Sequence, residues 1–186
     1  MGFDFERLRG RRVIAINRSF RSAPWADVLY FCDGYWWTGV DSPEARRTFE
    51  GKYIVTIAKG VRDPIVKVLG NSGRHELSRD PSVLGHGTNS GFQAINLAYH
   101  FGVSRIILLG FDMKIAPGLT HHHGGYGAPE AIVSHALTKQ MLPRFDALVG
   151  PLALAGIEVL NACPDSALEC WSRVSREFAL GSAVCR

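Results

Sequence analysis

Five short, nearly uninterrupted apolar runs govern what this chain can fold into: Val13 to Ile16, Val28 to Phe31, Tyr53 to Ile57, Ile106 to Leu109 and Ile157 to Leu160. None alternates apolar with polar residues, the pattern of a strand wetted on one face. A strand that is apolar throughout must be covered on both faces, the condition of parallel strands flanked by helices. Helical segments separate the later runs. Phe92 to Phe101 is the clearest, and "PEAIVSHALTKQMLPRFDALVGPLALAG" supplies one or two more, with breaks expected near Pro143 and Pro151 because proline lacks the amide that a helix interior uses. Ser175 is placed to cap a short final helix through Leu180. This alternation predicts an α/β protein, a single-domain, three-layer Rossmann-like fold over residues 1–186 with a mainly parallel sheet. Residues 58–87, rich in Gly, Pro, Ser and Arg around "PIVKVLG", read as a long connection over the sheet edge, and residues 113–129 as a His/Gly-rich loop.

Composition narrows the class. A chain of 186 residues, 46% apolar and 20% charged, is long enough for one domain with a real core. No apolar run reaches the ~18 residues of a membrane span, and "MGFDFERLRG" lacks the apolar core of a signal peptide. Glu6 stands where a myristoylation pattern wants Ser or Thr. Cys32, Cys163, Cys170 and Cys185 show neither C-x-x-C nor zinc-finger spacing, so free thiols in a reducing cytoplasm are expected. The net charge of +4 collects in "RLRGRR" and "RSFR". No aromatics thread through those arginines, which favours a solvated basic surface over a nucleic-acid interface.

The stretch "HGTNSGFQAINLAYHFGVSRIILLGFD" carries the functional signal. "GTNSG" places Asn89 or Ser90 as an N-cap, with Gly102 stopping the helix that follows. Gln93, Asn96 and His100 form one polar stripe on that apolar helix. In open parallel sheets, ligands bind beyond the carboxyl ends of the strands. Four residues fall there: Asn17 after "VIAI", Asp33 after "VLYFC", Asp112 after "IILLGF" and Asn161 after "IEVL". Thr88, Asn89, Ser90 and Gly91 add a helix N-terminus, whose amides and dipole suit an anion. Any one of these is ordinary turn or cap chemistry; together they make a candidate site. After Asp112 comes "APGLTHHHGGYG". It reads either as a polar loop or as a lid carrying a general base, with His121 and His123 able to share a face. Tyr35, Trp36 and Trp37 read equally as a hydrophobic corner or as a stacking surface for a base or sugar. No G-x-G-x-x-G, P-loop, G-x-S-x-G or H-E-x-x-H motif is present, and no metal ligands are assigned.

"FERLRGRRVIAINRSF", "TNSGFQAINLAYHFGVSRIILLGFDM" and "GIEVLNACPDSAL" stand in the order and approximate spacing of bacterial sialyltransferases that build lipooligosaccharide, which the chain therefore resembles. "GLTH" after "GFD" is also similar to the archaeal hydroxymethylpterin diphosphokinase-like family, and phage and prophage proteins share the layout. The sialyltransferase resemblance implies that Asn17, Ser90 and Gly91 contact a nucleotide, that a histidine of the 121–123 loop deprotonates an acceptor hydroxyl, and that no cofactor is needed. The diphosphokinase resemblance implies instead that Asp33 and Asp112 hold Mg²⁺ against a nucleoside triphosphate. Both families open with a strand and a "GNGPS"-type loop upstream of where this chain starts. The sialyltransferase tyrosines after "G.DF" have no clear equivalents here, where Met113 and Lys114 follow Asp112. These departures keep a third expectation open, a non-catalytic nucleotide-binding or interaction module. A missing first strand would also leave a sheet edge for self-association, so a homo-oligomer is expected.

Overall fold

The structure, a computed structural model, describes residues 3–39, 41–114 and 136–181. Within it the chain mixes helices and short strands, and every ladder is parallel. Two compact units are present, the first made of Met1–Arg74 and Ser78–Leu97, the second of His75–Leu77 and Ala98–Arg186.

Unit 1 is built on a four-stranded sheet in the order β1 (Ile14–Ile16), β2 (Val28–Phe31), β3 (Tyr53–Thr56), β4 (Val66–Val68). The register pairs Ile14 with Val28, Val28 with Tyr53 and Ile54 with Val66. β2 is buried at every position, which is why its sequence does not alternate. Leu29 and Phe31 face one side, joining Phe20 with Trp36 and Trp37 of α1 (Gly34–Thr38) and Ala45 of α2 (Asp41–Thr48). Val28 and Tyr30 face the other, joining Ala94 and Leu97 of α3 (Ser90–His100) and Leu84. Each such side chain contributes roughly 1.5–3 kcal/mol by leaving water, so the doubly covered strand is the natural centre of this unit.

Residues 58–87 are more structured than a connection. "PIVKVLG" supplies β4, and beyond it β5 (Gly70–Asn71) pairs with β6 (Val83–Leu84). The reason lies in α3. Asn96 is fully buried, and its Oδ1 accepts from the amides of Ser78 (2.9 Å) and Gly85 (2.8 Å) while its Nδ2 donates to the Ser78 carbonyl (3.0 Å). Gln93 Nε2 likewise donates to the His86 carbonyl at 2.5 Å. The polar stripe is thus the seam that fastens an irregular segment to a helix.

In unit 2, β7 (Arg105–Leu108) pairs with β8 (Glu158–Asn161), and Arg105 meets Glu158 across the first rung at 2.5 Å. A π-helical turn (Ala136–Met141) and a 3-10 turn (Leu142–Arg144) lead into α4 (Asp146–Leu154). The break expected at Pro143 coincides with that 3-10 turn, but α4 runs through Pro151. Buried Leu148 and Leu152, one turn apart, anchor it on both sides of the proline. A short α5 (Arg176–Gly181) is capped by Ser175 Oγ, which accepts from the Phe178 amide at 3.0 Å. The strands expected in one sheet therefore form three among the described residues: four strands, β5–β6 and β7–β8. Apolar runs identify strands but do not name their partners.

Candidate functional site

At the carboxyl end of β1 the backbone turns at Asn17, whose φ of 50° is left-handed. Asparagine tolerates that conformation better than most residues. The turn sends the chain into a 3-10 segment, Asn17–Arg21, whose Phe20 is buried. Arg18 and Arg21 from this segment both bind the buried carboxylate of Asp41, at 2.8 and 3.1 Å. The ion pairs hold the turn on the start of α2, so these arginines have a structural task beside the site.

The loop before α3 is shaped by two consecutive left-handed residues, Gly87 (φ 53°) and Thr88 (φ 63°). Asn89 then caps the helix, its Oδ1 accepting from the Phe92 amide at 2.8 Å and its Nδ2 donating to the Gly87 carbonyl at 3.0 Å. The Gln93 amide reaches the Asn89 carbonyl at 3.4 Å. Two first-turn amides, those of Ser90 and Gly91, make no hydrogen bond among the described residues. Unpaired amides at the positive end of a helix dipole form a site for an anion.

A directed chain of polar groups runs beside those amides. Asn17 Nδ2 donates to Ser90 Oγ at 3.5 Å, Ser90 Oγ donates to Cys32 Sγ at 3.0 Å, and Cys32 Sγ donates to Asp33 Oδ2 at 3.4 Å. The carboxylate at the end can only accept, which sets the direction of each step before it. Burial, reinforced by the Asp33 charge, pushes the Cys32 thiol up to about 12. Cys32 is therefore a thiol at neutral pH and serves as a link in the chain rather than as a nucleophile. Behind it the Tyr30 hydroxyl, also raised by burial, donates to Gln93 Oε1 at 2.8 Å.

Unit 1 thus gathers Asn17, Asp33, Thr88, Asn89, Ser90 and Gly91 at the carboxyl ends of β1 and β2. Asn17 is half-buried, Ser90 buried and Asp33 exposed. The two readings of the aromatic stretch divide by residue: Trp36 and Trp37 are core, while Tyr35 is 82% exposed. Cys32 had no signal in the sequence as a site member, since its role comes from a contact with Ser90, 58 residues away.

In unit 2, Asp112 follows β7 with its carboxylate exposed, and its carbonyl accepts from the Ala167 amide at 2.8 Å. Asn161 is fully buried. Its Nδ2 donates to the Leu168 carbonyl at 3.1 Å and its Oδ1 accepts from the Cys163 amide at 3.2 Å, so both ends of the amide shape its own loop rather than face a ligand. His121 and His123 lie outside the described residues. No group of three or more His, Cys, Asp and Glu suited to a metal ion occurs among the described residues, and no helix there is long and apolar enough to cross a membrane. No protein-family model matches this chain, and no match to it is found among curated proteins or solved structures.

Proposed function

We propose that this chain is a Rossmann-like nucleotide-binding protein whose unit 1 site takes the phosphate of a nucleotide or nucleotide sugar, and that it transfers the sugar in the manner of a sialyltransferase. The observation that carries the nucleotide reading is the pair of Ser90 and Gly91 amides, which make no hydrogen bond among the described residues, flanked by Asn17 at the end of β1. Charge supports it. Fourteen of the 21 Lys and Arg residues but nine of the 17 acids lie in unit 1, a net of +5. The sugar-transfer step rests on the resemblance in sequence, with His121 or His123 as the general base and Asp112 as the carboxylate that orients or assists it. The protein is further proposed to self-associate; a single monomeric species in sedimentation across a wide concentration range would rule that out.

Thermal unfolding against CMP, UDP, ATP and GTP, each with and without Mg²⁺, tests the reading. A ligand at 100 times its Kd adds about 2.7 kcal/mol, a rise in Tm of roughly 5–10 °C for a chain of this size. The expected result is a metal-independent shift with CMP or UDP. A shift with ATP or GTP that appears only with Mg²⁺ would move the reaction to phosphoryl transfer. If no nucleotide shifts Tm, the reading fails.

A further inference from the structure

His86 stands two residues before a stretch of backbone that has to be held. Thr88 is β-branched, yet its φ of 63° is left-handed, a conformation such residues keep only where their surroundings impose it. Its contacts do so. Thr88 Oγ1 donates to the Gly87 carbonyl at 2.6 Å, Asn89 Nδ2 donates to the same carbonyl at 3.0 Å, and the Thr88 amide donates to His86 Nδ1 at 3.1 Å. The last contact fixes the state of the ring. A backbone amide can only donate, so Nδ1 carries a bare lone pair, and the imidazole is neutral with its proton on Nε2. His86 thus plays the part that an Asn or Asp side chain plays in an Asx turn, bonding the backbone two residues on. Unlike an amide side chain, it can take up a proton on the accepting atom.

The residue is pinned at its own backbone. Its amide donates to the Arg74 carbonyl at 2.7 Å, and its carbonyl accepts from Gln93 Nε2 at 2.5 Å. A proton added to Nδ1 would set two donors against each other across the same 3.1 Å and leave the strained Thr88 without that restraint. The charged and titratable groups set against the turn come from other elements: Arg74 after β5, Tyr30 of β2 behind Gln93, and Cys32 behind Ser90, with Asp33 one residue further on and bonded to Cys32. Burial pushes the Tyr30 hydroxyl and the Cys32 thiol up, so both keep their protons in acid, and an arginine keeps its charge. We propose that His86 is a pH-sensitive latch: the neutral imidazole holds the Gly87–Thr88 turn, and proton uptake at Nδ1 releases it, loosening the loop that leads through Asn89 into α3. The device is independent of what the neighbouring site binds.

The test is amide hydrogen exchange and imidazole nitrogen NMR on the full chain, on H86N and on H86A, at about pH 7.5 and about pH 5, either side of the usual imidazole range. Exchange is expressed relative to an unstructured chain at the same pH, and the Leu97 amide within α3 reports that each variant is folded. At the higher pH the parent's His86 should carry its proton on Nε2 and its Thr88 amide should be protected. At the lower pH that protection should drop roughly 3–10-fold, the equivalent of one hydrogen bond. H86N, whose Oδ1 accepts without titrating, should keep the protection at both values, and H86A should lack it at both. A proton on Nδ1 at the higher pH, Thr88 protection in the parent that ignores pH, or a loss in H86N equal to the parent's would each overturn the latch.

Discussion

At Gly87 two constraints meet. Its φ of 53° is left-handed, and a Cβ built there would overlap the Phe92 ring, itself fully buried under the first turn of α3. Gly87→Ala should therefore cost about 2–4 kcal/mol, the strained backbone adding to the overpacking, read as a lower urea midpoint at an unchanged m-value. A midpoint equal to the parent's would mean that the loop shifts freely. Asp63 presents a different single-residue case. Burial by itself would raise its pKa, but the Ile65 amide, the Trp37 indole and Arg46 together hold it below its ordinary 3.8. The Trp37 bond is 2.9 Å and the Ile65 bond 3.2 Å. A depressed carboxylate contributes stability that is present above the unfolded-state pKa and is lost as pH falls through the folded one. The stability gap between the parent and Asp63→Asn should accordingly close as pH falls from about 5 to about 2. Parallel pH profiles would show that the ionised form makes no contribution.

Among the elements, α3 does the most varied work. Ala94 and Leu97 pack on the sheet, Asn89 caps its start, and Asn96 binds the segment before it. Asn96→Ala would leave the half-buried amide of Ser78 and the buried amide of Gly85 without their acceptor, a cost of about 2–4 kcal/mol. Cleavage within residues 78–85 by a nonspecific protease should quicken well beyond any change in global unfolding; equal acceleration everywhere would argue against a local staple. The sequence made this helix legible, because an Asn cap, an apolar face and a terminal Gly102 are all local signals. The strands were legible within a residue or two for the same reason. β4 was missed because its three residues sit in a Gly- and Pro-rich stretch, and their strand conformation depends on pairing with β3. The purpose of Asn96 was invisible as well, since a polar stripe names no partner.

On the scale of the whole molecule, charge is unevenly divided. Unit 1 carries +5, and the remaining seven basic and eight acidic residues give unit 2 a net of −1. If unit 1 receives a phosphate, nucleotide affinity should fall several-fold between about 0.05 and 0.5 M salt as screening shortens the range of those charges. A salt-independent affinity would confine recognition to the amides and neutral groups. The sheet topology was the least legible feature at this scale, because strand order follows from long-range packing that no run of residues encodes. The convergence read from the sequence is seen within unit 1 for Asn17, Asp33 and the 88–91 loop, whereas Asn161 spends its amide on its own turn.

The directed chain from Asn17 to Asp33 amounts to a grammar for the ligand. Because the Ser90 proton is already committed to Cys32, that hydroxyl can only be addressed by a group that gives a proton, while the neighbouring amides can only be addressed by one that receives. A phosphate monoester that keeps one proton speaks both parts, and its second ionisation lies near pH 6. Acidity would then act on the guest as well as on the host, with the bound species chosen by how many protons it brings.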